Sequence, residues 1–282
     1  MRKFMSVLLA LAMVFSLFGC AAEEAVREAP AATEAPAIEE AAAPAEDIVI
    51  LYTNDVHTHI NGVLSYDIVA ALKAELGKEY ENVLLVDAGD AVQGTAYGSI
   101  DKGASIIGLM NAAGYDLATL GNHEFDYGID GCMNVIDWAQ FPYISCNFYH
   151  EKDGVKGETV LEAAHIFDFD GTKVAFIGIT TPEAFNNSTP AYFQHENGNY
   201  IYGISGGEDG SALYADVQAA VDAVSDEADY IIALGHLGSE PSSRPWTSEE
   251  TIANVSGLDA FIEPPFFPAV SVMILQSLQL KI

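Results

Sequence analysis

Six side chains of the types that ligate metal ions or transfer protons lie in four short segments of the chain. They are Asp55, His57, Asp90, Asn122, His123 and His236. Asp55 and His57 are separated by one residue, so both side chains can point to the same side of an extended loop. Asp90 offers an anionic oxygen that can bridge two cations. Ligation by oxygen and nitrogen without thiolate suits Mn, Zn, Fe or Co better than a structural zinc site.

Together these residues predict a site that acts on phosphate esters. Two divalent cations about 3.5–4 Å apart can hold a hydroxide nucleophile and clamp phosphate oxygens during in-line attack. Asn122 would supply an amide oxygen as a ligand and His236 an imidazole. His123 would face the same substrate. Asp126, three residues further on, could orient the His123 ring so that its imidazolium protonates a leaving alkoxide.

Each of these segments follows a predicted β-strand, just past its C-terminal end. The predicted strands are Asp47–Tyr52, Asn82–Val86, Leu117–Leu120, Lys173–Ile179 and Tyr230–Leu234. Ligand sites of open α/β folds gather at this edge because its loops converge there. One Asp or His after a strand means little, but metal-type side chains at four strand ends are hard to attribute to chance.

The pattern of the whole chain favours an α/β fold. Amphipathic helical patterns lie between the strands, near residues 65–76, 104–113, 133–140 and 212–227. Uniformly apolar strands that alternate with helices indicate a sheet buried on both faces. Segment 154–172 has the pattern of a β-meander, so we expect the sheets to be mixed.

Four blocks resemble, in the same order, those of the calcineurin-like metallophosphoesterases. They are Tyr52–His57, Asp87–Asp90 followed by Gly94, Gly121–Asp126 and Gly235–His236. More narrowly they resemble the exported 5′-nucleotidase / 2′,3′-cyclic-nucleotide phosphodiesterase group. The similarity runs from about Ile48 to Ile262, and the sequence GNHEFD is its most specific block.

The resemblance implies a four-layer α/β/β/α sandwich, with mixed sheets here, that hydrolyses phosphate esters of nucleotides or related small molecules. It implies that Asp55 and His57 bind the first of two divalent ions, Zn, Mn or similar. Asp90 would bridge both ions, and Asn122 and His236 would bind the second. His123 and Asp126 would form the catalytic pair that acts on the leaving group.

The sequence departs from this family after the strand expected at Leu258–Ile262. The family has a Gly-His-x-His block at that point, whereas this chain has Glu263-Pro264-Pro265 and no His after His236. We therefore expect residues 47–262 to be an incomplete catalytic domain and residues 263–282 an atypical tail, poor as a strand or a helix. A truncated or frame-shifted chain is the favoured interpretation, and loss of activity would be its consequence. The alternative is a variant in which Glu263 or water fills the gap.

The composition excludes several other functions. The chain has 282 residues with 41 Asp and Glu against 11 Lys and Arg, a net charge of −30. Too few basic side chains remain for binding a nucleic-acid polymer or for docking on anionic lipids. A content of 50% apolar residues is enough to bury a core. Nothing in the sequence indicates an oligomeric state.

Residues 1–46 have the pattern of an export signal followed by a tether. Arg2 and Lys3 precede an apolar run to Phe18, which is typical of a signal peptide over residues 1–19. Leu17-Phe18-Gly19-Cys20 resembles a bacterial lipobox, so we expect lipidation at Cys20; ordinary cleavage is the alternative. Residues 20–46 are rich in Ala, Glu and Pro and predict a tether. The protein would then be exported and held by its lipid at the outer face of a bacterial cell membrane.

We expect the remaining His, Cys and Gly residues of interest to have no direct role in the site. We expect His59 to have a supporting or exposed role and His150, His165 and His195 to lie at the surface. Cys132 and Cys146 could form a disulfide, but burial of separate thiols is favoured. The glycine-rich segment 205–210 is expected to be a plain turn, because it lacks the strand-to-helix context of a phosphate-binding loop.

Overall fold

The computed structural model describes residues 47–61, 65–263 and 269–275. The predicted signal peptide, Cys20 and the tether lie outside these residues, as do 264–268 and 276–282 of the predicted tail. Within the described ranges, no helix is both long enough and apolar enough to cross a membrane.

The described residues form twelve strands and seven α-helices, joined by loops and short 3₁₀ turns. The strands are β1 Ile48–Asn54, β2 Asn82–Asp87, β3 Leu117–Thr119, β4 Tyr143–Ile144, β5 Phe148–Lys152, β6 Val155–Thr159, β7 Ala164–Phe169, β8 Thr172–Thr180, β9 Tyr202–Ile204, β10 Tyr230–His236, β11 Ala260–Ile262 and β12 Ala269–Leu275. The helices are α1 Tyr66–Leu76, α2 Ala96–Ser99, α3 Ala104–Ala113, α4 Gly128–Trp138, α5 Glu183–Asn187, α6 Ser211–Val224 and α7 Ser248–Asn254.

Two sheets carry the strands that the sequence predicts. The first has the order β12-β1-β2-β3-β4, in which β1 to β4 run parallel. The second has the order β11-β10-β8-β7, in which β7 is antiparallel to β8 and the others are parallel. A third, small sheet has the order β6-β5-β9 and is antiparallel. The sheets are therefore mixed, as the meander pattern predicted.

The two large sheets pack face to face between outer helices. Their shared core joins Ile50, Leu84 and Val86 of the first sheet to Phe176 and Ile232 of the second. The other face of the first sheet is covered by side chains of α1, α3 and α4, and that of the second by α6. This is the predicted four-layer α/β/β/α arrangement, and it explains why the central strands are apolar on both faces.

Two local expectations were wrong. The sequence predicts that the tail after Ile262 does not form a good strand, but part of it forms β12. This strand pairs antiparallel with β1, from Ile48 opposite Leu275 to Asn54 opposite Ala269. The tail prolines at 264, 265 and 268 all precede the strand, so none removes a donor from its ladder. Segment 205–210 does connect a strand, β9, to a helix, α6; three residues were too few for β9 to stand out in the sequence.

Cys132 and Cys146 are both free and buried, which agrees with the favoured interpretation as separate thiols. Burial raises the pKa of each thiol above its ordinary range. Both cysteines therefore belong to the apolar packing of the domain.

Phe176→Ala should destabilise the domain strongly, because Phe176 is fully buried between the two sheets. Removal of such a side chain costs about 3–5 kcal/mol when the cavity does not collapse. Val155→Ala, at a side chain that is 66% exposed, is the control and should change stability little. Urea denaturation of both variants measures the difference, and similar midpoints would contradict the shared core.

Candidate metal centre

The six side chains with metal-type chemistry meet where the two large sheets come together at their strand ends. Strands β1, β2 and β3 are parallel and deliver Asp55, Asp90 and Asn122 to one edge of the first sheet. His236 is the last residue of β10 in the second sheet. Its Nδ1 lies 2.8 Å from the carbonyl oxygen of Ala88, directly after β2. The convergence predicted from the strand ends is therefore present.

The loops after β1 and β2 extend the ladder of the parallel sheet. The backbone N–H groups of Asp55, His57 and Thr58 donate to the carbonyl oxygens of Gly89, Asp90 and Ala91, each at 3.0 Å. These bonds hold four non-glycine residues in the left-handed region, which is costly for residues with a side chain. The φ angles are 48° at Asp55, 47° at His57, 60° at Thr58 and 62° at Asp90. The backbone thus fixes the direction of the candidate ligands.

Asp90 belongs to two groups of side chains that could each hold a cation. Ligand atoms of Asp55, Asp90 and His236 lie within 4.8 Å of one another, and so do those of His57, Asp90 and His123. Oδ2 of Asp90 is 3.2 Å from Nε2 of His236 and 3.9 Å from Nε2 of His57. Asp90 therefore has the central position expected of a bridging carboxylate.

The hydrogen bonds of the two ligand histidines fit metal binding. Nδ1 of His236 faces the Ala88 carbonyl at 2.8 Å, and Nδ1 of His57 faces the Gln93 carbonyl at 2.9 Å. A carbonyl oxygen only accepts, so each ring carries a proton on Nδ1 and donates it there. When the ring is neutral, Nε2 has a free lone pair directed at the carboxylates, which is the usual arrangement of a metal-bound histidine. The residues present fit a divalent cation.

His123 and Asp126 form the predicted pair. Nδ1 of His123 is 2.8 Å from Oδ2 of Asp126, and both side chains are about one-third exposed, at 34% each. The two residues frame the 3₁₀ turn His123–Phe125 that follows Asn122. The ring of His123 meets the ring of His57 edge-on, with 5.1 Å between centroids. His123 thus lies beside the ligand cluster and is open to a substrate.

A cavity of about 270 Å³ opens next to the cluster. Its wall on the cluster side includes Asp55, Asn122 and His236. Other residues that line it carry hydroxyl and carboxylate groups, among them Ser243, whose Oγ donates to Glu183 at 3.3 Å. Asn122 is therefore placed with the other candidate ligands, as predicted, and the cavity offers space for the part of a substrate beyond its reacting group.

The site holds closely spaced acid and base groups that shift each other's pKa. A hydrogen bond that the protonated His57 ring donates to the Asp55 carboxylate raises the pKa of His57 to about 9. Burial opposes protonation of His236, but attraction by Asp90 outweighs it and raises the pKa to about 10. Burial likewise opposes ionisation of Asp90, while the charge of His236 lowers its pKa to about 2. Without cations, the imidazoliums thus neutralise the carboxylates.

Sequence reasoning assigned no role to two buried carboxylates near the cluster. Burial raises the pKa of Asp87 to about 8, and its Oδ2 accepts the Thr53 hydroxyl at 2.5 Å. Glu124 is 1% exposed and accepts three backbone N–H groups. The position of Glu124 inside the block GNHEFD was a signal that could have identified it.

The other histidines stay outside the cluster. The side chains of His59, His150 and His195 are exposed, and that of His165 is partly exposed, as expected. Glu263 follows β11, the neighbour of β10, but belongs to neither group of candidate ligands among the described residues. Its Oε1 is buried without a hydrogen bond from the described part of the chain, and burial raises its pKa.

Metal binding should release protons at neutral pH. The metal-free protein carries protons on His57 and His236 up to about pH 9 and 10, whereas a cation binds only the neutral rings. The apparent affinity for Mn²⁺ should therefore rise as the pH increases from 7 towards 9. Calorimetric titration at pH 7 in buffers of different ionisation enthalpy should show release of roughly two protons. Binding with no proton release would contradict the assignment of both rings as ligands.

Gly89→Ala should damage the centre because the loops after β2 and β3 touch at this residue. Gly89 has φ 97°, and an added Cβ would lie 2.5 Å from the backbone nitrogen of Gly121. We expect the affinity for Mn²⁺ to fall at least about tenfold, the range found when groups supporting ligands are disturbed. Gly108→Ala in α3 is the control, since an added Cβ there meets nothing within 4 Å. Equal metal affinities in the two folded variants would show that this close approach is unimportant.

Comparison with known proteins agrees with this geometry. The chain is 30% identical over 241 residues to a 5′-nucleotidase of Vibrio cholerae, which covers 82% of this chain but 38% of that protein. The solved structure of the NAD nucleotidase of Haemophilus influenzae matches with a TM-score of 0.62 at 25% identity. That match covers 78% of this chain and 38% of the other. The chain thus spans well under half the length of these two relatives.

A shorter relative matches over more of its own length. The calcineurin-like phosphoesterase YfkN of Bacillus subtilis has a TM-score of 0.62 at 26% identity, over 77% of this chain and 71% of the other. Residues 79–256 match the family described as bacterial capsule synthesis protein PGA_cap. That range contains Asp90 after β2, Asn122 and His123 after β3, and His236 at the end of β10. The chain therefore belongs to the PGA_cap family, and by its fold and its 5′-nucleotidase relatives to the calcineurin-like metallophosphoesterases.

Proposed function

We propose that this chain is a metal-dependent phosphoesterase domain that hydrolyses phosphomonoesters of nucleotides. The observation that carries the proposal is the position of Asp90, shared by two candidate ligand groups, with the His123–Asp126 pair alongside. Cyclic nucleotide diesters are a second substrate class with the same reacting atoms. The 5′-nucleotidase relative supports the choice of substrate.

The ligand residues divide between two cation positions. Following the family resemblance, Asp55 and His57 would hold the first cation, Asn122 and His236 would hold the second, and Asp90 would contribute to both. Nε2 of His57 lies 3.5 Å from Oδ1 of Asp55. Two divalent ions of the Zn or Mn type supply Lewis-acid activation of water and of the phosphate when they are bound. The carbonyl oxygens of Ala88 and Gln93 keep the two imidazoles in the tautomer that presents Nε2.

His123 acts on the leaving group. Its Nδ1 proton is held by Asp126, so Nε2 is the atom that faces the substrate and transfers a proton to the departing oxygen. The edge-on contact with His57 sets the position of the ring. The alkoxide of a nucleoside is a poor leaving group, and its protonation is the step for which this pair is suited.

The cavity beside the cluster accepts the leaving group. The residues that line it include Thr181, Ser242 and Ser243, which bear hydroxyl groups, and Glu183, which bears a carboxylate. These groups suit the hydroxyl-bearing sugar of a nucleotide as hydrogen-bond partners. Among the described residues that line this cavity there is no Lys or Arg, so the phosphate would depend on the cations for charge neutralisation.

The cellular location rests on the sequence of residues 1–46. We propose that Cys20 is lipidated and that residues 20–46 hold the domain outside a bacterial cell membrane. Cys20→Ala should then move the protein from the membrane fraction to the soluble fraction. A variant that remains in the membrane fraction would contradict anchoring by lipid.

Hydrolysis of AMP with Mn²⁺ or Zn²⁺ is the direct test of the activity. Asp90→Ala should abolish phosphate release and reduce metal binding, because it removes the oxygen shared by both cation positions. His59→Ala is the control, because it removes an exposed histidine from the neighbouring loop after β1 and should leave phosphate release unchanged. Stoichiometric metal binding without any phosphate release from AMP or a 2′,3′-cyclic nucleotide would contradict the proposal and support an inactive binding domain.

His123→Ala should separate the proton-transfer step from metal binding. We expect kcat for AMP to fall about 10²–10⁴-fold, the usual contribution of a general acid. The loss for 4-nitrophenyl phosphate should be much smaller, since nitrophenolate leaves without protonation. Asp126→Asn should show the same selectivity with a smaller loss. Equal losses for both substrates would exclude His123 as the acid.

A further inference from the structure

We propose that Glu124 is a positioning residue that locks the loop bearing Asp90 to the loop bearing Asn122 and His123 before any cation binds. The inference rests on the proposed function in one respect: that function makes these loops important, because it places metal ligands on them. The hydrogen bonds that carry it belong to the protein alone and can be measured without a metal or a substrate.

Glu124 is buried and uses both carboxylate oxygens to hold backbone groups of two loops. Its Oε2 accepts the N–H of Asp90 at 2.9 Å and that of Gly121 at 2.7 Å. Its Oε1 accepts the N–H of Ala91 at 2.9 Å. Gly121 lies in the same loop as Glu124, whereas Asp90 and Ala91 lie more than thirty positions earlier in the sequence.

The loops are joined in the reverse direction as well. The N–H of His123, next to Glu124, donates to Oδ1 of Asp90 at 2.8 Å. Each loop therefore contributes one carboxylate that accepts from the backbone of the other. We call these four hydrogen bonds, three to Glu124 and one to Asp90, the clamp. Oδ1 of Asp90 takes part in the clamp, whereas Oδ2 faces the histidines and is available to a cation.

The clamp holds a backbone conformation that the sequence alone disfavours. Asp90 has φ 62° and follows Gly89 at φ 97°. Gly121 approaches so closely that an added Cβ would lie 2.2 Å from Oδ1 of Asp90. A residue in the left-handed region persists when surrounding contacts over-determine it, and the three bonds to Glu124 supply such contacts.

A carboxylate is the group that this position requires. Three N–H donors converge on it, and an ionised carboxylate is a pure acceptor at both oxygens. A glutamine of the same size would place its NH₂ group against one or two of these donors. Glu124→Gln therefore removes acceptor capacity from the clamp while it conserves volume.

The test uses amide hydrogen exchange and metal titration on the whole protein. In metal-free Glu124→Gln, the amides of Asp90, Ala91 and Gly121 should exchange at least tenfold faster than in the unsubstituted protein. The dissociation constant for Mn²⁺ should rise roughly 10–100-fold, as for other groups that orient ligands. At saturating Mn²⁺, kcat should fall while KM changes little, because the loops rather than the cavity are disturbed.

Asp259→Asn is the matched control. The Oδ2 of Asp259 accepts the N–H of Ile231 at 2.8 Å near the start of β10, at the other end of that strand from His236. This variant should leave the affinity for Mn²⁺ unchanged. Glu124→Asp is the second variant, in case the Gln variant does not fold. It keeps the charge but is too short to reach both loops, so it should also weaken Mn²⁺ binding.

Unchanged amide exchange and unchanged metal affinity in a folded Glu124 variant would overturn the inference. An effect on metal affinity equal to that of Asp259→Asn would also overturn it, since it would show only general destabilisation. A protein with no phosphatase activity but with the predicted exchange differences would refute the proposed function and leave the clamp standing.

Discussion

The centre depends on the burial of one negative charge, that of Asp90, at the junction of two sheets. Asp90 is 2% exposed, and a buried carboxylate is stable only when it is hydrogen-bonded and paired with positive charge. The His123 N–H and the His236 ring supply this in the metal-free protein, and the latter lowers the pKa of Asp90. Bound cations would supply the positive charge that the imidazolium provides in the metal-free protein. The neighbouring residues can be understood as the means of keeping that anion in place.

The fold serves this purpose through the direction of its strands. Parallel strands end at the same edge, so side chains far apart in sequence reach one point without long loops. The second sheet adds His236 from the opposite side, and its contact with the Ala88 carbonyl joins the two sheets at the site. The core between the sheets thus determines the distance between ligands as well as the stability of the domain. Substitutions in that core can be expected to alter the centre even when they lie far from it.

Much of this arrangement was predictable, because strands that are buried on both faces can be recognised in the sequence as continuous apolar runs. Strands β1, β2, β8 and β10 are continuous apolar runs, and polar residues directly after a parallel strand can only reach the edge of the sheet. The predicted candidate ligands therefore converge, and the His123–Asp126 contact follows from a separation of three residues.

Other features depend on contacts that sequence patterns do not show. The left-handed backbone at Asp90 is held by Glu124 from a distant loop. Strand β12 lies at an edge, where partial exposure weakens the apolar pattern and a preceding run of prolines obscured it. Strand β9 has only three residues and leaves no recognisable pattern, so the sequence does not show that segment 205–210 connects a strand to a helix. In each case the determining partner is remote in the sequence.

The central claim is that Asp90 joins two cation positions, and electron paramagnetic resonance of the Mn²⁺-loaded protein tests it most directly. Two Mn²⁺ ions that share a carboxylate oxygen should be exchange-coupled, with a multiline spectrum that disappears in Asp90→Asn. A spectrum of isolated six-line Mn²⁺ signals at full loading, unchanged by Asp90→Asn, would contradict the account.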